Sequence, residues 1–381
     1  MVQAGRFDSK NKRVEAIRLR PSRLELGSER SCMNTLELSE TWRAAKSSID
    51  HVVVVLTPYE RDLFLPGWKP GQEGSARVSH VDVSQSSRQG WLDMLREMNP
   101  TVLVTAWSCP TLPLEWWGES SLRYLCSITG SVKPRVPRAF IEQGLLVSNW
   151  GSLISHTVAE HALLLILASL RGIQGWPAMM REPRDMLQMM RHLKTRRLRG
   201  ARVGIHGFGA IARELVLMLK PHHVELSAYS EGVPQAHYDE YSVRRCRSLE
   251  ELFAGADILI ECEGLNERTK GAVTREMLAL LADDAVFVNV GRGRVVDECA
   301  LIDCAREGRL RVALDVYHRE PLPMDSPLLD TPGILLSPHV AGPTSDTYPL
   351  CGEQALENVA RFLRGETPSH LVTLEAYDRS T

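Results

Sequence analysis

The sequence has no excess of charge of either sign. Its 381 residues carry 45 Lys and Arg against 47 Asp and Glu, a formal net charge of −2. That balance excludes the basic footprint of a nucleic-acid binder and the acid run of a solvating tail. Long apolar runs are lacking too. No stretch reaches the length of a membrane span, and the N-terminus has no apolar signal core. The eight cysteines (Cys32, Cys109, Cys126, Cys246, Cys262, Cys299, Cys304 and Cys351) are scattered, with no CxxC pair and no zinc spacing. They read as reduced buried thiols, and no metal is expected. Internal repeats and low-complexity segments are missing. What remains is a globular chain, 44% hydrophobic and 24% charged, long enough for about two or three domains. It is expected in the cytoplasm, without nucleic-acid or membrane partners.

Two α/β patterns follow a polar N-terminal extension, residues 1–50. In the first, β-rich runs at 52–56, 76–81, 101–106, 122–127 and 145–148 alternate with polar or amphipathic stretches, including a helix predicted at 89–98. In the second, runs at 202–206, 224–229, 257–261, 285–290, 311–316 and 334–337 alternate with helical patterns at 211–219, 249–254, 274–281 and 298–306. Such alternation predicts parallel sheets. Six runs with a glycine turn after the first fit a doubly wound sheet. The apolar segment 157–170, TVAEHALLLILASL, reads as a buried connector between the two units. The Met- and Arg-rich stretch 179–198 reads as a solvated helix and loop, with its methionines in a core or an interface.

The stretch VGIHGFGAIA, 203–212, carries the first chemical signal. A strand runs into Gly207-Phe208-Gly209, and a helix starts at once through Ala210 and Ile211. Such a turn sets backbone N–H groups and a helix N-terminus against a pyrophosphate. Alone the signal is weak, because similar turns bind nothing. Three ionisable residues strengthen it. Arg292 follows the fourth run in NVGRG, Glu320 follows the fifth in LDVYHREP, and His339 follows the sixth in SPHVAGP. In a parallel sheet all three leave from the carboxyl edge that carries the glycine turn, where ligands of open α/β sheets bind. Three neighbouring strand ends span about 10 Å.

Singly, each residue has a bland reading: a surface Arg, a Glu opening a turn before Pro321, a loop His after Pro338. As a set they fit one reaction. Arg grips a carboxylate with two parallel hydrogen bonds. His exchanges a proton near neutral pH, and a carboxylate beside it raises its pKa. The substrate that suits them is a small 2-keto or 2-hydroxy acid beside a nicotinamide ring.

From about residue 51 to residue 366 these ordered motifs resemble the D-isomer-specific 2-hydroxyacid dehydrogenase family. Val158-Ala159-Glu160 is similar to its interdomain helix segment. GIHGFGAIA is similar to its cofactor fingerprint, with Ala212 at the third glycine position. NVGRGRVVD, ALDVYHREP and SPHVAG are similar to the motifs of its catalytic arginine, its aspartate and glutamate, and its histidine. The resemblance implies a Rossmann-type doubly wound parallel sheet at 151–342. That unit would be inserted in a flavodoxin-like substrate domain at 51–150 and 343–381, whose helix near 344–363 crosses back.

The resemblance also implies catalytic roles for Arg292, Glu320 and His339. It implies NAD as cofactor, with NADP left open, held by Gly207, Phe208, Gly209, Ala210, Ile211, Ser230, Val290, Gly291, Arg292, Asp315 and His339. Amides at Gly130, Ser131 and Val132, with Arg292, would hold the substrate carboxylate. The implied activity is hydride transfer between a nicotinamide dinucleotide and a D-2-hydroxy acid, in a homodimer. Rivals stand beside it: a degenerate enzyme that binds cofactor and has lost its substrate, and two more. One is a dinucleotide-sensing or corepressor-like binding protein with little turnover. The other is a formate dehydrogenase, a group that places Gln where Glu320 stands.

Several positions depart from the family pattern. The usual Asp after the second cofactor strand is Ser230, followed by Glu231, which could take the acidic role. Arg244 and Arg245 read either as surface charge or as partners of a 2′-phosphate. The substrate loop reads Thr129-Gly130-Ser131-Val132-Lys133-Pro134-Arg135 in place of Gly-x-Gly-x-Asp. There Lys133 and Arg135 would either meet an anion or be solvated. Gly264 replaces a usual Pro and is expected to loosen the wall beside the cofactor. Trp107, Trp116 and Trp117 would either narrow the substrate site or pack an interface.

Overall fold

The computed structural model describes residues 50–380 except 70–71, 74–75 and 182–184. The N-terminal extension and Cys32 lie outside the described residues. Strand β1 (His51–Val55) is a β-branched run with Val52–Val55 fully buried, the composition of a parallel strand covered on both faces. It is the centre of a six-stranded sheet with β2 (Gln72–Glu73), β3 (Ala76–Val81), β4 (Val102–Thr105), β5 (Tyr124–Ser127) and β6 (Leu146–Ser148). The order is β2-β3-β1-β4-β5-β6, with only β2 antiparallel among the described strands. Taken alone, the five parallel strands run in the flavodoxin order. Trp91, Leu95, Leu103, Trp116, Leu125 and Phe140 fill the core on one face.

The second sheet has seven strands in the order β13-β12-β11-β10-β7-β8-β9. These are β7 (Arg202–His206), β8 (Glu225–Tyr229), β9 (Arg244–Arg245), β10 (Ile258–Glu261), β11 (Ala285–Asn289), β12 (Leu310–Leu314) and β13 (Ile334–Leu336). All its pairings are parallel, and β7 at the switch point has β8 on one side and β10 on the other. This is the doubly wound dinucleotide order with one added edge strand. The extra strand relative to the sequence reading is β9, a two-residue pairing too short to produce a β-rich run. Local signals set the helix starts. Ser248 accepts from Glu251 N and Asp297 from Ala300 N, so the helices Leu249–Ala254 and Glu298–Arg306 begin where their caps sit.

The helix Ser155–Arg171 is not buried all round, as its apolar sequence suggested. Val158, Ala159, Ala162, Leu165 and Ile166 are buried, and the helix packs on the helix Ala210–Leu219 and on β11 and β12. Leu164 and Leu167 face outward. Gly172, at φ 61°, ends the helix in the left-handed region. Beyond it, Met180, Met186 and Leu187 are exposed, so these residues of the Met-rich stretch are not core. The helix Tyr348–Leu363 returns to the first sheet and packs on the helix Pro58–Phe64 and on β5. The approach is so close that a Cβ at Gly352 would collide with the Phe64 carbonyl. Among the described residues, no single helix is long and apolar enough to cross a membrane.

Candidate active site

The carboxyl edge of the seven-stranded sheet gathers the predicted residues. Gly207 leaves β7 at φ 88°, and a Cβ there would lie 2.7 Å from Glu263 N. Only glycine allows both that backbone and that approach. Gly209 caps the helix Ala210–Leu219 with open space above it. The helix N-terminus therefore opens onto a cleft of about 1470 Å³, lined in part by Gly209, Ser230, Glu263, Lys133 and Tyr377. A bare helix end, free amides and room for a ligand fit a dinucleotide pyrophosphate. The Phe208 ring does not share this cleft. It is buried and stacked on Tyr238, centroids 4.5 Å apart, so only its backbone remains at the turn. Ala210 is exposed, Ile211 partly buried, and Ala212 fully buried where the helix meets the sheet.

Arg292, Glu320 and His339 follow β11, β12 and β13, which are adjacent and parallel. His339 Nδ1 donates to Glu320 Oε2 at 2.6 Å, and Glu320 Oε1 accepts from Tyr317 N at 2.9 Å. Both side chains stay open to solvent, His339 at 49% and Glu320 at 34%. The bond to Glu320 lifts the His339 pKa above its ordinary value; burial and the Arg292 charge oppose this, and the charges of Glu320 and Asp315 add to it. Burial pushes the Glu320 carboxyl up, but the bonds from His339 and Tyr317 and the charges of His339 and Arg292 hold it below the usual range. Arg292 is partly buried beside them. Burial draws its pKa down against the Glu320 charge, and the guanidinium remains a cation. Its loop is tied by Asn289, which accepts from Gly291 N at 3.0 Å and donates to Arg292 O at 3.2 Å. A Cβ at Gly293 would collide with the Tyr317 backbone, which locks the Arg292 loop to the Glu320 loop. Val290 and Gly291 are buried beneath.

Asp315 is the staple of the histidine loop. Oδ1 accepts from Ser337 Oγ at 2.6 Å and Val340 N at 2.9 Å, and Oδ2 from Ala341 N at 3.0 Å. Burial raises its pKa, and the bonds from His161, Ser337 and the two amides overcome that and lower it. These bonds hold His339 at φ 53°, a conformation a non-glycine residue rarely adopts. His161 on the interdomain helix joins the network, with Nε2 at 2.9 Å from Ser337 Oγ. The sequence reading put Asp315 on the cofactor and passed over His161 and Ser337. Their positions beside the motifs were visible, but the contact between the segments was not.

The departures resolve into specific contacts. Ser230 is buried, and its hydroxyl donates to Glu263 Oε2 at 2.8 Å. Glu231 is exposed at the same cleft and paired with Arg268 at 3.2 Å. Arg244 is committed to Glu251 at 2.6 Å, and Arg245 lies over the Tyr238 ring. Gly264 sits in a tied turn: its amide donates to Glu263 Oε1 and its carbonyl accepts from Thr269 Oγ1.

On the other sheet, Arg135 is not solvated, whereas Lys133 is partly buried and lines the cleft. Arg135 is buried and donates to the carbonyls of Ala106 and Ser131, and Lys133 donates to those of Asp378 and Ser380. Gly130 lies against the Trp150 ring, and its carbonyl accepts from Asn149. Ser131 is partly buried and Val132 fully so. Trp116 is buried, and Trp117 packs edge-on against Phe140 in that lobe's core. Trp107 is 46% exposed, beside Phe64 and Tyr348. A buried pair also went unread: His206 and Glu261, 2.6 Å apart beneath the glycine turn.

Comparison with known proteins agrees with this geometry. Residues 163–341 match the model of the D-isomer specific 2-hydroxyacid dehydrogenase NAD binding domain. The chain is 30% identical over 246 residues to glyoxylate/hydroxypyruvate reductase B of Pectobacterium carotovorum, covering 61% of this chain and 73% of that protein. This chain belongs to the D-isomer-specific 2-hydroxyacid dehydrogenase family. The D-3-phosphoglycerate dehydrogenase of Methanocaldococcus jannaschii is also 30% identical, over 62% of this chain but only 44% of its own length. The apo D-mandelate dehydrogenase of Rhodotorula graminis shares the fold, with TM-score 0.72 at 19% identity over 85% of this chain and 97% of that one. As a member of that family the chain is an NAD(H)-binding oxidoreductase acting on the CH–OH group of donors.

Proposed function

We propose that this protein interconverts a D-2-hydroxy acid and its 2-keto acid, with Arg292, Glu320 and His339 as catalytic residues. The observation that carries the reading is the His339–Glu320 bond beside Arg292 at three adjacent strand ends. Arg292 holds the substrate carboxylate through parallel hydrogen bonds. Glu320 occupies His339 Nδ1, which leaves Nε2 as the nitrogen that meets the substrate oxygen. In reduction the imidazolium gives its proton to the carbonyl oxygen, and in oxidation the neutral ring takes the hydroxyl proton. The bound nicotinamide supplies or accepts the hydride. Asp315 keeps the histidine loop in place, and backbone amides near Gly130–Val132 face the acid from the other lobe. The lobes are a substrate domain, 51–150 and 343–381, and a cofactor domain, 151–342. Closure of the cleft between them excludes water from the transfer.

A homodimer is part of this reading. Leu164, Leu167, Trp176, Met180, Met186 and Leu187 are exposed apolar side chains on and just beyond the interdomain helix, a surface suited to a second copy. The described cysteines are free thiols, most of them buried, which supports a cytoplasmic, reducing location.

The test is a panel of 2-keto acids with NADH and NADPH, run on wild type, Arg292→Ala and His339→Ala. Turnover of one or more acids is expected, with kcat/KM falling about 10²- to 10⁴-fold in each variant. Dinucleotide binding without turnover across the panel, or variants with wild-type rates, would overturn the assignment.

A further inference from the structure

A dinucleotide fold grips the adenosine ribose with a carboxylate that accepts from its hydroxyl groups, and the acid ordinarily stands after the second strand. Here β8 ends in Ser230. The carboxylate is nevertheless present, delivered from a different strand. Glu263 follows β10, and its Oε2 accepts from Ser230 Oγ at 2.8 Å while its Oε1 accepts from Gly264 N at 3.1 Å. Its backbone lies against the glycine turn, with Glu263 N 2.7 Å from where a Gly207 Cβ would be. The side chain therefore crosses the floor of the turn and ends beside the tip of β8, lining the same cleft as Gly209 and Ser230.

A carboxylate oxygen accepts about two hydrogen bonds, so Glu263 can take ribose hydroxyls beside the bonds from Ser230 Oγ and Gly264 N. Cations also line this cleft, among them Arg268 and Lys270, and several are paired with carboxylates. Arg268 is held by Glu231, Arg379 by Glu375 and Arg244 by Glu251. The buried His206 is held by Glu261. A 2′-phosphate would bring about −1.5 to −2 charges onto a partly buried carboxylate.

We propose that Glu263, steered by the Ser230 hydroxyl, reads the 2′-hydroxyl of the adenosine ribose and makes this site select NAD(H) over NADP(H). The inference rests on the family's dinucleotide binding and adds the residue that sets the choice. It is tested by fluorescence titration of the full chain with NADH, NADPH and NADH lacking the adenosine 2′-hydroxyl. Wild type is expected to bind NADH most tightly and to lose about tenfold without the 2′-hydroxyl. Glu263→Gln should narrow the NADH-to-NADPH ratio by about tenfold or more and reduce the penalty for the missing hydroxyl. Adding Ser230→Asp to Glu263→Gln should restore selectivity from β8, a rescue that no general loss of folding can mimic. A wild type that prefers NADPH overturns the proposal, as does a Glu263→Gln ratio equal to wild type with NADH still bound. Absence of binding to any of the three would instead overturn the dinucleotide reading itself.

Discussion

The two carboxyl edges of this protein use charge in opposite ways. On the cofactor sheet, His339 and Glu320 keep large exposed fractions and Arg292 stands partly buried beside them. Their loops are shaped by other groups, namely Asp315, Asn289 and the close approach of Gly293 to Tyr317. On the first sheet, Arg135 is itself the brace: its guanidinium is buried on the carbonyls of Ala106 and Ser131. Lys133 is likewise spent on the C-terminal segment.

The largest expected effect comes from Gly207→Ala. A Cβ meeting the Glu263 backbone at a left-handed φ should weaken NADH binding by about 100-fold or more. An unchanged Kd would remove the turn from the comparison. Arg135→Met should lower stability by about 3 kcal/mol in denaturant titration, because two buried carbonyls lose a charged donor. If stability held and KM for the keto acid rose instead, the first edge would be using charge as the second does.

Glu320→Gln sharpens the contrast through pH. A raised His339 pKa keeps the imidazolium populated above its ordinary value of about 6.5. Keto-acid reduction should therefore be flat below the folded pKa and fall as pH rises through it, with oxidation doing the reverse. Without the carboxylate the falling limb should move to lower pH, read from kcat/KM against pH. A limb that stays in place would detach Glu320 from His339. The smallest effect belongs to Lys133→Ala, within about 0.5 kcal/mol of wild-type stability and with near wild-type turnover. A large rise in KM would show that Lys133 reaches the substrate after all.

Much of this architecture was legible because period and punctuation are local properties. Alternating β-rich runs and helices located both sheets, and the helical patterns at 249–254 and 298–306 coincide with the helices that Ser248 and Asp297 cap. The same locality hid β9, which has two residues and exists only through its pairing with β8. It also hid the outward face of the helix Ser155–Arg171, whose leucines look alike until a partner buries some of them. Arg292, Glu320 and His339 were legible as a set because parallel strands deliver their ends to one edge.

By itself the sequence determined where each chemical group leaves the backbone: the glycines after β7, and the arginine, glutamate and histidine after three successive strands. Tertiary structure alone decided which charges are free. It turned Glu231 to Arg268, brought Glu263 to Ser230, buried Arg135 on two carbonyls and spent Asp315 on the loop of His339. Most of these choices join residues that lie 25 to 37 positions apart in the chain, although the Arg135 bond to Ser131 spans only four. They turn on distances of about 3 Å, which composition and periodicity do not encode.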